Sequence, residues 1–121
     1  MPIEELTYDD VTVKLIKLER ATFKEAEEFK RKLIHDIENG KLKIVVDLSS
    51  CLFMDSTFLS ALVTTLKRIS TAGGNLKLVA VQTETLALLE LTGTYKIFEI
   101  YKTREAAVHS FKEIVIEGVK E

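Results

Sequence analysis

Cysteine is almost missing from this chain: Cys51 is the only one in 121 residues. That excludes an intrachain disulfide and any cysteine-based metal cluster. Amide side chains are nearly as scarce, with Asn39, Asn75 and Gln82 as the whole set. Many Lys and Glu with few thermolabile amides is a thermophile-like balance. No apolar run approaches the ~20 residues a membrane-spanning helix needs. The start, Met1-Pro2-Ile3-Glu4-Glu5, lacks the basic-then-apolar order of a signal peptide, so the cytoplasm is the expected compartment. Charge of neither sign prevails: 17 Lys and Arg face 19 Asp and Glu, a net charge of −2. No basic patch of the kind that grips nucleic acid is present. Neither a Gly-x-Ser-x-Gly elbow nor a His-Glu-x-x-His pair occurs, so the expectation is a protein that is not an enzyme and carries no metal or other cofactor.

What is there is the composition of an ordinary soluble domain, 46% hydrophobic and 30% charged. The length fits one domain over residues 1–121 with a single core. Residues 3–8 and the alternating Val11, Val13 and Leu15 predict two strands, with Asp9-Asp10 turning between them. Thr22 with Glu25 three residues on is a capping box. It opens a helix in which Phe23, Ala26, Phe29, Leu33, Ile34 and Ile37 recur at helical spacing, stopped by Asn39-Gly40. Residues 42–48 predict a buried strand, 56–71 a second helix ended by Gly73-Gly74, and 76–81 a third long strand. A short helix over 83–91, a strand over 97–101 and a helix over 103–119, with Ala107, Phe111, Ile114 and Val115 on one face, complete the chain. The order β-β-α-β-α-β-α-β-α implies right-handed crossovers and a mostly parallel sheet, with the first hairpin adding an antiparallel edge: an α/β fold with about four helices. Gly73-Gly74 precedes a strand instead of joining a strand to a helix, which makes it a helix stop and not a phosphate-binding loop.

The informative stretch is Ile44-Val45-Val46-Asp47-Leu48-Ser49-Ser50-Cys51-Leu52-Phe53-Met54-Asp55-Ser56-Thr57. An apolar run ends in aspartate, and a short loop leads to Asp-Ser-Thr at the start of a helix. Asp and Ser are preferred N-caps, so this triplet has a purely structural use. It also sets two hydroxyls where unpaired N–H groups and the helix dipole favour negative charge. On the helix that follows, Leu59, Leu62, Val63, Leu66 and Ile69 form the core stripe, with Phe58 on its margin. Thr57, Ala61, Thr64 and Arg68 align on another side with Thr65 beside them. This small, weakly polar face suits a docking partner, or a second copy of the chain about a two-fold axis. Cys51 opens an apolar run and reads as a buried thiol. His35 and His109 fall on helices and read as solvated.

The stretch from Val46 to Thr57 resembles the STAS domain, the fold of bacterial anti-sigma factor antagonists. The run Leu88-Leu89-Glu90-Leu91-Thr92-Gly93-Thr94-Tyr95-Lys96-Ile97-Phe98-Glu99-Ile100-Tyr101 and the position of Gly73-Gly74 resemble it as well. The resemblance implies a STAS-like fold and a phosphorylation switch. The unmodified protein would bind an anti-sigma factor that is also a serine-protein kinase; phosphorylation at the start of the second helix would release it, and a phosphatase would reset it. Thr57 matches the usual acceptor column, Ser56 the neighbouring one, and Asp55 the motif acid. Where the family motif continues Gly-Leu-Gly, this chain has Phe58-Leu59-Ser60, which would put bulk beside the acceptor. The alternatives are a docking or scaffold module without phosphorylation, or a nucleotide-binding sensor, although no residue here marks a nucleotide site.

Overall fold

The computed structural model describes residues 2–112. Strands β1 (Ile3–Tyr8) and β2 (Val11–Ile16) form the antiparallel hairpin, turning at Asp9 with a positive φ of 57°. Parallel strands β4 (Lys43–Asp47), β6 (Asn75–Val79) and β7 (Ile100–Tyr101) continue the sheet in the order β1-β2-β4-β6-β7. Two further strands of two residues each, β3 (Arg20–Ala21) and β5 (Phe53–Met54), pair in parallel outside it.

Helices α1 (Phe23–Glu38) and α2 (Ser56–Thr71) lie on one face of the sheet. Ile44, Val46, Leu76 and Leu78 point to that face and meet Phe29, Leu33, Leu62 and Ile69 in the main core. Alternate residues Val45 and Val79, with Val11 and Val13, point the other way and are covered by Ala107 and Val108 of α4 (Arg104–Lys112). This period-two division explains why β4 reads as a continuous apolar run: both its faces are buried. Helix α3 (Thr83–Leu91) contributes Leu89 to the main core.

The α/β class, the hairpin, the mixed sheet and the four helices agree with the sequence. Three details differ. Between α3 and β7 the chain makes a 3₁₀ turn at Thr94–Lys96, so the last strand is two residues and not five. The third long strand ends at Val79 instead of Val81. The pair β3 and β5 was not expected. Ile114 and Val115, assigned to the last helix face, lie outside the described residues.

Two glycines have steric reasons. Gly73 takes φ +90° as α2 ends. A Cβ on Gly74 would sit 2.2 Å from the Leu42 carbonyl oxygen, so α2 can turn into β6 there only without a side chain. A charged cluster pins the hairpin to α1: buried Lys14 lies 2.7 Å from both Glu5 and Asp36, and Lys41 lies 3.1 Å from Glu5. The bond from Lys14 holds the Glu5 carboxyl below its ordinary pKa. Burial pulls the Lys14 ammonium down, and its bonds to Asp36 and Glu5 more than offset this and leave it raised.

Candidate functional site at the paired helix starts

The loop that delivers the Asp-Ser-Thr triplet is held from both ends. Asp47, buried at the end of β4, accepts from the Ser49 N–H (2.9 Å), the Ser49 hydroxyl (2.7 Å) and Arg104 Nε (2.9 Å). Bonds to Tyr8 and Asp47 keep the Arg104 pKa above its usual value. Gln82 donates to the Ser49 carbonyl (3.0 Å) and Thr85 to the Cys51 carbonyl (2.9 Å). Farther on, Leu52 and Phe53 both donate to the Glu19 carbonyl, and Asp55 N–H to the Ala21 carbonyl. The segment before α1 and the segment before α2 are therefore laced together by backbone bonds.

Asp55 completes the joint. It is the N-cap of α2, accepting the Phe58 N–H at 2.8 Å on Oδ1. Its other oxygen accepts the Phe23 N–H, the first residue of α1, at 2.9 Å. One carboxylate thus satisfies an orphan donor on each of two helices, and both helix dipoles stabilise its charge. Thr22 caps α1 separately through the capping box with Glu25. At the far end of the helix pair, Arg68 meets Glu38 at 3.1 Å.

Ser56 and Thr57 are the first two residues of α2, and both are exposed. Thr57 lines a groove between α1 and α2 whose other walls include Phe23, Glu27, Lys30 and Ala61. Thr64 and Arg68 are also exposed. Two residues assigned to the docking face are not on the surface: Ala61 is buried, and Thr65 is 0% exposed with its hydroxyl turned back to the Ala61 carbonyl at 2.8 Å. Ala61 faces the chain's own α1 across the groove that it lines with Ala26 and Lys30.

Phe58, expected on the margin of the core stripe, belongs to the main core. It is fully buried, stacked on Phe29 of α1 with ring centroids 5.3 Å apart and planes 6° from parallel. The bulk that replaces a family glycine therefore points into the core, away from Thr57. Phe23 is the converse: helical spacing assigned it to the core, yet it is 64% exposed beside the groove. As the first residue of α1 it precedes the turn that meets the sheet. Arg20 covers the Phe53 ring at 4.3 Å, where β3 and β5 pair.

Cys51 is buried, its thiol donating to the Phe53 carbonyl (3.2 Å), and burial pushes its pKa up, against nucleophilic use. His35 bonds Asn39, and His109 is exposed on α4. Among the described residues no three His, Cys, Asp or Glu side chains gather as a metal site, and no helix is long and apolar enough to cross a membrane.

An antiparallel hairpin leading into a parallel sheet, with two helices starting side by side on one face, defines a compact class of α/β domain. The chain belongs to the STAS domain family, whose model matches residues 18–107. It is 26% identical over 87 residues to BtrV of Bordetella bronchiseptica, named as a proposed anti-sigma factor antagonist, covering 72% of this chain and 75% of that protein. A crystal structure of a proposed anti-sigma factor antagonist from Thermotoga maritima matches with a TM-score of 0.84 at 27% identity, over 92% of this chain and 95% of the other. The fold is also that of the anti-sigma factor antagonist SpoIIAA in its unphosphorylated form, with a TM-score of 0.74 at 14% identity, covering 93% and 99% of the two chains. SpoIIAA of Bacillus in its phosphorylated form gives a TM-score of 0.72 at 14% identity over 90% and 98%.

Proposed function

We propose that this chain is an anti-sigma factor antagonist, a cytoplasmic binding protein and not an enzyme, switched by phosphorylation of Thr57, with Ser56 as the second acceptor. The names of the relatives from Bordetella and Thermotoga support the class. The observation that carries the switch is an exposed hydroxyl at the second position of a helix whose start is clamped to its neighbour.

Unmodified, the surface around Thr57 binds an anti-sigma factor that also has serine/threonine kinase activity. That kinase transfers the γ-phosphoryl group of a nucleoside triphosphate to Thr57 Oγ1. The bond to the diphosphate breaks, the Oγ1–P bond forms, and the hydroxyl proton passes to a base of the kinase. A phosphatase reverses the modification by hydrolysis. The phosphoryl group adds about −1.5 to −2 charge. The helix start tolerates that charge, so the fold persists. The partner, in contrast, would have to desolvate a dianion, at a cost of roughly several kcal/mol. Asp55 adds like-charge repulsion. Release without unfolding is the result.

The test compares wild type with Thr57→Glu as bait in cells of the source organism, identifying bound proteins by mass spectrometry. Wild type retains an anti-sigma factor with a kinase fold, and Thr57→Glu loses it while keeping its circular dichroism spectrum. Retention of that protein by Thr57→Glu at wild-type level would overturn the switch.

A further inference from the structure

Ser56 and Thr57 are neighbours in sequence, but they face different surroundings. Thr57 lines the α1–α2 groove and Ser56 does not. The groove encloses about 150 Å³, room for a phosphoryl group. Of the residues lining it, Glu27 and Lys30 carry charge, and they pair with each other at 3.5 Å. Lys30 is half-buried and Glu27 exposed, and a solvent-facing pair three residues apart on a helix is weak and easily exchanged. Lys30 reaches back to Glu27, one turn nearer the start of α1, and that is the end beside which Thr57 stands at the start of α2.

Resting on the Thr57 switch, we propose that Lys30 is the receiver of the phosphoryl group: once Thr57 is phosphorylated, Lys30 leaves Glu27 and pairs with the phosphoryl oxygens across the groove. Lys30 takes no part in the transfer from the nucleoside triphosphate and keeps its protons throughout. A dianion with three acceptor oxygens outcompetes a single exposed carboxylate for one ammonium. The exchange fills the groove with a bridge from α2 to α1 and leaves Glu27 as an unpaired anion on its rim. Phosphorylation then removes the docking groove as a shape as well as charging it. A phosphoryl group on Ser56 lies outside the groove that Lys30 lines. Lys30 is in this sense a positioning residue of the modified state.

The experiment installs phosphothreonine at Thr57, or phosphoserine at Ser56, by genetic code expansion, so no kinase is needed. Each is made in wild type, Lys30→Gln and Lys30→Arg backgrounds, and the second pKa of the phosphoryl group is read by ³¹P NMR titration. At Thr57, Lys30→Gln is expected to raise that pKa by about half a unit, and Lys30→Arg to restore it. At Ser56 neither change moves it. An identical pKa at Thr57 with and without Lys30, or equal shifts at both positions, would overturn the proposal. Partner binding by the same phosphoproteins is read separately. A Lys30-dependent shift in a Thr57 phosphoprotein that still holds its partner would support the receiver and reject the switch.

Discussion

Asp55 and Phe23, 32 positions apart, are joined by a 2.9 Å bond from the Phe23 N–H to one carboxylate oxygen, while the other oxygen caps α2. Each cap is worth about 1 kcal/mol, so Asp55→Ala is expected to cost about 2 kcal/mol of stability. Asp55→Asn keeps one oxygen for the Phe58 N–H and turns an amide donor toward the Phe23 N–H. Its cost should be about half that of the alanine variant, about 1 kcal/mol, because the Phe58 cap is kept while the Phe23 N–H, at an exposed position, turns to water. Urea denaturation measures both. A cost below about 0.5 kcal/mol for both variants would show that the double cap is incidental.

The stacked pair of Phe29 and Phe58 gives a second expectation. Phe58→Gly restores a glycine of the family motif, yet here it empties a fully buried site between α1 and α2. The loss should be about 3–5 kcal/mol or more, since Phe→Ala in a core already costs that much and glycine in a helix adds to it. Thermal and chemical unfolding check this. A near-neutral Phe58→Gly would mean that α1 and α2 pack by other contacts.

The hairpin anchor sets a pH dependence. The Glu5 carboxyl is held below its ordinary value of 4.5 by its bond to Lys14. A depressed folded pKa contributes stability that is present above the unfolded pKa and lost as pH falls through the folded one. Lys14, raised above 10.5, gives the opposite limit: its contribution is present below that value and lost as pH rises through its folded pKa. Glu5→Gln should therefore flatten the fall in melting temperature below pH 5. The effect is small, about 0.5 kcal/mol, because the Glu5 side chain faces solvent. Parallel acid limbs for wild type and Glu5→Gln would contradict the assignment.

Thr57→Ala separates binding from release. It removes the proposed acceptor while leaving the Asp55 cap in place, so under the proposed switch the variant binds the anti-sigma factor and resists release by kinase and nucleoside triphosphate. Normal release of Thr57→Ala, measured as loss of complex on a sizing column, would move the acceptor to Ser56.

The elements legible in the sequence are those whose signal is local. The Thr22–Glu25 capping box, the stop at Gly73 and the leucine stripe of α2 all appear where the residues place them. The pair β3 and β5 was not legible, because two residues carry no period and their pairing is purely tertiary. The second bond of Asp55 is hidden for the same reason: its partner is 32 positions away. Ala61 and Thr65 read as part of an outward docking face because helical spacing alone does not tell which small residues the rest of the chain covers, and both are buried. Phe23 was misplaced because spacing alone ignores that a helix's first residue lies ahead of the turn packed on the sheet.

The most direct measurement is intact-mass spectrometry of the protein purified from its native cells, with peptide mapping across residues 54–67. A fraction carrying one phosphoryl group, mapped to Thr57 and removed by phosphatase, is expected. Protein without modification at Thr57 or Ser56 under every growth condition would contradict the switch and leave a constitutive docking module.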